Sequence, residues 1–297
     1  MKINASINIQ DSNLLYGLQE VLKIIEQIIK SEDREDIICF QKRTFVTPLF
    51  ILPLLVFVTG CGKVIRFDSY SSYMDTILFS QGGLKPDMTE HSDFLASLNK
   101  FAYKTFLPII NFPANIYCNN ERNAILTAVE SMLAKQLGLQ PNITAGLKYI
   151  VEESVDNIIE HSESERGYIF SQSYPTKKYL DICIADSGIT LLGSYQKAGR
   201  VDIVNHLLAI EAANSGVSTK NLPEAENRGY GIATSKKMLV DGLSGNYVML
   251  SGNALYLKTQ TIEKFVSLPG EANWKGTIIA VRIPYINENF NYIKYIE

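Results

Sequence analysis

The sequence predicts an α+β protein built from two domains. Over residues 1–110, short strands alternate with helices, a pattern that favours a small α/β layer. From Asn119 onward, two helices come first and mostly antiparallel strands follow, which predicts a sandwich of one mixed sheet with helices on one face. A length of 297 residues is enough for about two domains. We therefore expect a first domain over residues 1–110 and a second over residues 111–297.

Hydrophobic periodicity defines the elements of the first domain. Strands are expected at residues 2–10, 36–41 and 63–68, and helices at residues 14–30, 47–60 and 70–79. Thr47 can cap the second helix, and Pro48 stands in its first turn, where the missing N–H costs nothing. Residues 84–118 contain three prolines, and we expect them to be irregular and to join the two domains.

One apolar segment, residues 45–58, could be either a membrane-spanning helix or a buried core helix. It is 14 residues long and contains Pro53, whereas a bilayer span needs about 20 residues, so a buried core helix is expected. The net charge of -3 provides no basic surface for nucleic acid. The four cysteines form no CxxC pair, which indicates neither a zinc site nor a disulfide framework. With no secretory signal at the start, we expect reduced thiols and a cytoplasmic location.

The second domain begins with two long helices. Asn119 or Asn120 can cap a helix that runs to about Leu137, and a second helix is expected from Pro141 to about Ser162. The strands that follow share alternating or continuous apolar residues. They are expected at residues 166–174, 179–185, 246–250, 254–260 and 276–284, the first two forming a hairpin.

Polar residues stand at helical spacing in the second of these helices. Glu153, Asn157 and His161 are four residues apart, so they share one face, while the apolar stripe of the helix lies on another side. Three further short motifs come later in the chain. They are Asp186-Ser187-Gly188 after an apolar run, Arg228-Gly229-Tyr230-Gly231, and Gly276-Thr277 in the last predicted strand.

Taken in this order, the motifs give residues 119–285 a resemblance to the GHKL ATP-binding family of gyrase, heat-shock chaperone, histidine kinase and MutL proteins. The stretch 153–161 resembles the N box, most closely in the form found in anti-sigma-factor serine kinases. Residues 182–188 resemble the first glycine box and residues 228–237 the second, and Gly276-Thr277 matches the Gly-Thr of the family. The resemblance implies the Bergerat α/β sandwich, with ATP and Mg²⁺ as cofactors.

The resemblance also implies roles at the phosphate end of the site. Asn157 would hold Mg²⁺, a hard cation that prefers oxygen ligands. Glu153, one turn earlier, would accept a proton from water or from a protein hydroxyl during phosphoryl transfer. Gly229 and Gly231, with Tyr230 between them, would present backbone N–H groups to phosphate oxygens.

At the other end of the site, three residues would meet the adenine. The Asp186 carboxylate would accept a hydrogen bond from the adenine amino group, and Gly188 would let the backbone approach the base. Thr277 would hydrogen-bond the adenine directly or through a water. His161 is included in the site because it shares the face of Glu153 and Asn157.

The segment between the two glycine boxes, residues 189–228, is expected to be the ATP lid, with a helical part at residues 201–213. Lys220 and Arg228 are either phosphate contacts or ordinary surface charges. The sequence departs from the family pattern at Thr190, where a second glycine is usual, and in having two glycines rather than three in the second box.

The activity expected from the resemblance is that of a regulatory serine/threonine kinase of anti-sigma-factor type. The alternative is an ATP-dependent conformational switch, or a slow ATPase, that controls a partner without phosphorylating it. A regulatory protein partner and a possible homodimer are implied, and neither nucleic acid nor a membrane is expected. The first domain loosely resembles STAS domains in its element order, which makes Thr44 or Thr47 either a phosphate acceptor or, for Thr47, only a helix cap.

Overall fold

The computed structural model describes residues 1–5, 14–40, 46–68, 72–88, 90–114, 119–137, 141–217, 231–270, 272–285, 290–291 and 293–296. The helices are α1 (Leu15–Lys30), α2 (Pro48–Gly60), α3 (Ser72–Thr76), α4 (His91–Asn99), α5 (Asn119–Leu137), α6 (Pro141–His161), α7 (Leu191–Lys197), α8 (His206–Asn214), α9 (Gly231–Lys237) and α10 (Ile293–Ile296). The strands are β1 (Lys2–Ala5), β2 (Glu35–Phe40), β3 (Val64–Asp68), β4 (Phe106–Pro113), β5 (Arg166–Tyr174), β6 (Tyr179–Asp186), β7 (Asn246–Gly252), β8 (Ala254–Lys258), β9 (Glu263–Ser267) and β10 (Trp274–Pro284). A 3-10 turn covers Pro86–Met88, and a π-helical segment, Met238–Gly242, directly continues α9.

The strands form two separate sheets. A parallel sheet has the order β1-β2-β3, and a larger sheet has the order β4-β5-β6-β10-β7-β8-β9. The α+β class is therefore confirmed, but the expected mixed character of the larger sheet is wrong. Among the described strands of that sheet every pairing is antiparallel. For the pairs β5–β6, β7–β8 and β8–β9 this follows from short connections that reverse the chain.

Helix α2 lies between the two sheets. On one side it packs against α1 and touches β2, where the Phe40 and Phe50 rings meet edge to face at 6.2 Å. On the other side it packs against β5, β6 and β10. A helix enclosed in this way is apolar all round, and all residues from Pro48 to Val56 are buried.

The position of α2 settles two expectations. The buried core helix predicted for the apolar segment is confirmed, and no helix among the described residues is long and apolar enough to cross a membrane. The expectation that helices cover only one face of the larger sheet is wrong. Helices α5 and α6 cover one face, while α2 covers part of the other, since its apolar surface needs a partner on both sides.

Residues 84–118 are not irregular where the structure describes them. They contain α4 and β4, and β4 is an edge strand of the larger sheet, so the expected boundary at residues 110 and 111 falls inside a strand. The pairing of β4 with β5 shifts register between Leu107 and Ile110, around Pro108. Proline is tolerated at an edge or at such an irregularity because it removes no hydrogen bond that the sheet needs.

The elements that build the second domain are largely those predicted. Helices α5 and α6 and the β5–β6 hairpin have the expected bounds to within two residues. The apolar stripe of α6 is buried against the sheet; it comprises Leu147, Ile150, Val151, Val155 and Ile158. Helix α7 and strand β9 were not predicted. In the first domain, β1 covers Lys2–Ala5, and residues 6–10 of the expected strand lie outside the described residues. Helix α3 ends at Thr76, three residues before its expected end.

Candidate functional site

The acid, amide and imidazole predicted on one helical face line a common pocket. Glu153, Asn157 and His161 project from α6 into a cavity of about 260 Å³. The Asn157 amide nitrogen donates hydrogen bonds to the backbone oxygen of Glu153 at 2.7 Å and to its Oε1 at 3.1 Å. The amide nitrogen is thus engaged by the helix, and the amide oxygen is the atom that Asn157 can offer to a ligand. His161 Nε2 lies 3.5 Å from the Glu160 carboxylate.

Asp186 lies at the end of β6 and is only 1% exposed. Its Oδ1 accepts a hydrogen bond from the Gly188 N–H at 2.8 Å, and its Oδ2 accepts one from the Thr277 N–H at 3.1 Å. Burial raises the pKa of Asp186 to about 7, against the lowering effect of these two backbone hydrogen bonds. A further donor entering the pocket would therefore stabilise a carboxylate that is only partly ionised at neutral pH.

A bulge in β10 brings Thr277 to Asp186. The pairing of β10 with β7 shifts register between Trp274 and Thr277, and Gly276 between them has φ of +90°. Only glycine adopts that backbone conformation readily, and a Cβ at Gly276 would overlap the backbone oxygen of Asp186. The Trp274 indole N–H donates to that same oxygen at 3.1 Å. The Gly-Thr pair is thus explained by the need to aim a backbone N–H at a buried carboxylate.

Gly188 makes a close approach that differs from the expected one. A Cβ at Gly188 would overlap the backbone oxygen of Ser162, which accepts a hydrogen bond from the Ile189 N–H at 2.6 Å. Ser162 directly follows α6. The described contacts therefore explain this glycine by the docking of the loop after β6 onto the end of α6.

The structure also accounts for Thr190, which departs from the family pattern. Thr190 is the N-cap residue of α7, and its hydroxyl accepts a hydrogen bond from the Gly193 N–H at 3.2 Å. Threonine is favoured at this position because its side chain satisfies a helix N–H that would otherwise lack a partner.

In the described part of the expected lid, helices α7 and α8 pack against each other. Helix α8 corresponds to the helix expected at residues 201–213, although it begins later, at His206. Tyr195 of α7 and Ala209 of α8 belong to a small apolar cluster, and the Tyr195 hydroxyl donates to the Val217 oxygen at 2.5 Å. Of the predicted site residues, Lys220, Arg228, Gly229 and Tyr230 lie outside the described residues.

Gly231 is the first residue of α9 and lies against Glu153. A Cβ on Gly231 would overlap the Glu153 carboxylate. Any ligand that reaches the backbone of Gly231 therefore also reaches this carboxylate. The contact joins α9, which lies within the second glycine box, to the centre of α6.

Ser251 is a site residue that sequence reasoning missed. Its hydroxyl is buried, accepts hydrogen bonds from the Leu191 N–H at 2.9 Å and the Thr277 hydroxyl at 3.3 Å, and donates to the Gly276 oxygen at 2.9 Å. One side chain thus connects β7, the β10 bulge and the start of α7. The available signal was a hydroxyl directly after an apolar run, residues 247–250, in a predicted strand.

The remaining walls of the pocket are mainly apolar. The sheet contributes Ile184, Met249 and Ile279, and the loop and helices above it contribute Ile189, Leu191, Tyr195, Ala213, Val217 and Ile232. No cluster of three His, Cys, Asp or Glu side chains suited to a metal ion occurs in the described ranges.

Comparison with known proteins adds no further assignment. No family model matches the chain, and neither the curated proteins nor the solved structures include a match.

Proposed function

We propose that this pocket binds Mg-ATP and that the chain is a regulatory serine/threonine kinase of the anti-sigma-factor type with a GHKL fold. The observation that carries the proposal is the convergence of residues from four separate sequence motifs in one pocket. They are Glu153, Asn157, His161, Asp186, Gly231 and Thr277. If the four motifs were unrelated surface features, their residues would not be expected to line the same pocket. The pocket combines an apolar wall from the sheet with polar and acidic groups, most of them from α6.

The Asp186 end of the pocket suits an adenine ring. Ile184, Met249 and Ile279 supply an apolar surface for a flat base beside the carboxylate. A carboxylate accepts hydrogen bonds, so it favours a base with an exocyclic amino group and repels a carbonyl oxygen at the same place. The Thr277 hydroxyl donates to Ser251 and retains acceptor capacity for a ligand.

The Glu153 end suits the phosphates. The Asn157 oxygen would hold Mg²⁺ together with phosphate oxygens, in line with the preference of this ion for a few protein oxygens and several other ligands. When bound, Mg²⁺ neutralises charge on the phosphates. The Glu153 carboxylate, oriented by Asn157 and lying against Gly231, is the group available to accept the proton of an attacking hydroxyl.

The first domain offers limited support for phosphorylation within the chain. Its order of β2, α2, β3 and α3 is the order that suggested a STAS-like module. The Thr47 hydroxyl, however, is buried beside Gly17 and has no hydrogen-bond partner in the described part of the chain. It is closed to a phosphate donor in this arrangement, and Thr44 lies outside the described residues. We therefore place the acceptor hydroxyl on a separate regulatory protein.

The packing of α2 favours a second candidate function, an ATP-dependent switch or slow ATPase. Helix α2 attaches the first domain to the sheet face opposite the pocket, so a partner bound to that domain can respond to nucleotide without being phosphorylated.

Incubation with Mg²⁺ and γ-labelled ATP tests the proposal, with nucleotide binding measured in parallel. The variants are Asn157→Ala and Glu153→Ala, and Lys148→Ala on α6, outside the pocket, is the matched control. Label on protein that is lost in both site variants and kept in the control supports the kinase. Free phosphate without labelled protein indicates an ATPase, and tight binding without turnover indicates the switch. Absence of nucleotide binding by the wild type refutes the ATP site.

A further inference from the structure

The C-terminal segment places an aromatic ring between the two helices that meet at Glu153. Phe290 is buried, although the segment that carries it follows the last strand of the sheet. A Cβ at Gly146 of α6 would lie 2.8 Å from Phe290 Cε1, and a Cβ at Gly242 would lie 2.5 Å from Cε2. These two carbons are on opposite edges of the ring. The ring therefore touches one helix with each edge, at positions where glycine leaves room for it.

Other contacts of this segment hold the ring in place. Phe290 stacks on Tyr295 of α10, with ring centroids 5.9 Å apart and an interplanar angle of 22°. The Asn291 side chain accepts a hydrogen bond from the Ile293 N–H at 3.1 Å, at the start of α10. Tyr295 itself packs near Gly242, with Cζ 3.0 Å from the position of a Cβ there.

The two helices separated by this ring also make the contact at the site. Gly146 precedes Glu153 by about two helical turns on α6. Gly242 ends the π-helical segment that continues α9, whose first residue, Gly231, lies against the Glu153 carboxylate. The spacing of α6 and α9 at the ring is thus transmitted along both helices to the phosphate end of the pocket.

We infer that Phe290 is a positioning residue, a wedge between α6 and α9 that fixes Gly231 against Glu153 without touching the ligand. The inference rests on the proposed function for its kinetic consequence. Asp186 and Thr277 belong to β6 and β10, which the wedge does not separate. Loss of the wedge should therefore weaken interactions with phosphates and leave those with the base intact.

The test compares Phe290→Ala with Phe94→Ala, a control that removes a buried ring of the same apolar cluster on α4. We expect Phe290→Ala to weaken ATP binding by about tenfold or more, since small misplacements at a reacting centre have effects of this size, and to leave adenosine binding unchanged. In the protein without nucleotide, amides of α9 should exchange faster in Phe290→Ala than in Phe94→Ala. Parallel losses for ATP and adenosine, or equal α9 exchange in the two variants, would overturn the inference.

Two further variants keep the test decisive if Phe290→Ala does not fold. Phe290→Leu should restore most of the ATP affinity, because it refills the space between the helices. Gly146→Ala should weaken ATP binding by crowding the ring, and combining it with Phe290→Leu should recover that loss; failure to recover overturns the inference. If the wild type binds no nucleotide, the proposed function fails, while the exchange comparison still decides whether Phe290 positions α9.

Discussion

If the pocket binds a nucleotide as proposed, the buried Asp186 carboxylate makes that binding depend on pH in a predictable direction. Burial raises its pKa to about 7, and the ionised form accepts a hydrogen bond from the adenine amino group more strongly than the protonated acid does. With a pKa near 7, about one carboxylate in eleven is ionised at pH 6 and about ten in eleven at pH 8. The affinity for adenine nucleotides should therefore fall between pH 8 and pH 6, by up to about tenfold, the limit reached when only the ionised form binds.

Asp186→Asn is the informative perturbation. The amide keeps one acceptor oxygen but turns an NH₂ group toward one of the two backbone N–H groups that the carboxylate now binds. Hydrogen bonds to charged groups contribute about 1.5–3 kcal/mol, so affinity should drop by about 10- to 100-fold. Calorimetric titration with ADP at both pH values, on wild type and variant, separates Asp186 from the titration of the phosphates. Equal affinities of the two proteins, or identical pH profiles, would refute the reasoning.

The same group sets a pH dependence of stability in the protein without ligand. The pKa of Asp186 is raised in the folded state from an ordinary value of 3.8 to about 7. The folded protein then holds a proton that the unfolded chain has released, so its stability falls as pH rises between these values. The loss is about 4 kcal/mol at about 1.4 kcal/mol per pKa unit. Between pH 5 and pH 8 the loss is about 2.5–3 kcal/mol, because pH 5 lies only two units below the raised pKa. Urea unfolding at these two pH values should show this smaller difference in the wild type and less in Asp186→Asn.

Three further predictions concern side chains and backbone around the site and at the far end of the sheet. Gly276→Ala forces a side chain into a positive-φ bulge and should cost about 1–3 kcal/mol in urea unfolding, whereas an unchanged midpoint would contradict the bulge geometry. Ser251→Ala leaves the buried Gly276 oxygen and the half-buried Leu191 N–H without their partner and should cost about 1–3 kcal/mol, with faster amide exchange in α7 as the local measure. Arg282→Ala leaves the buried Asp181 carboxylate, now bound at 2.7 and 2.8 Å, without its cation, and should cost about 3–5 kcal/mol; a smaller effect than that of Ser251→Ala would contradict this assignment.

Local sequence patterns were sufficient to predict α6, the helix that carries much of the candidate site. The spacing of Glu153, Asn157 and His161 and the separate apolar stripe predict both the helix and its two faces, since both follow from the period of 3.6 residues. The pocket confirms that the three side chains share a face. The apolar segment after Thr47 was likewise predicted as a buried helix, although nothing in it specifies which two layers enclose it.

Features that depend on distant parts of the chain were missed. Strand β4 was not predicted because Pro108 and Pro113 argue against a strand, although an edge strand tolerates proline. Whether a strand lies at an edge depends on pairing partners that are distant in the sequence. Strand β9 is mostly exposed and so lacks a clear apolar pattern. Ser251 became part of the site only when β7, β10 and α7 came together around it.

Strand β6 joins the two halves of the molecule at the site. Successive side chains of a strand point to opposite faces, so Cys183 and Ala185 pack in the cluster around α2 while Ile184 lines the pocket. The carboxylate of Asp186 ends the same strand. Because packed interiors resist continuous deformation, a shift of α2 has to be taken up by β6 and hence by the wall of the pocket. A first domain that binds a partner through other surfaces would thus be coupled to the pocket, the proposed nucleotide site, without contributing a residue to it.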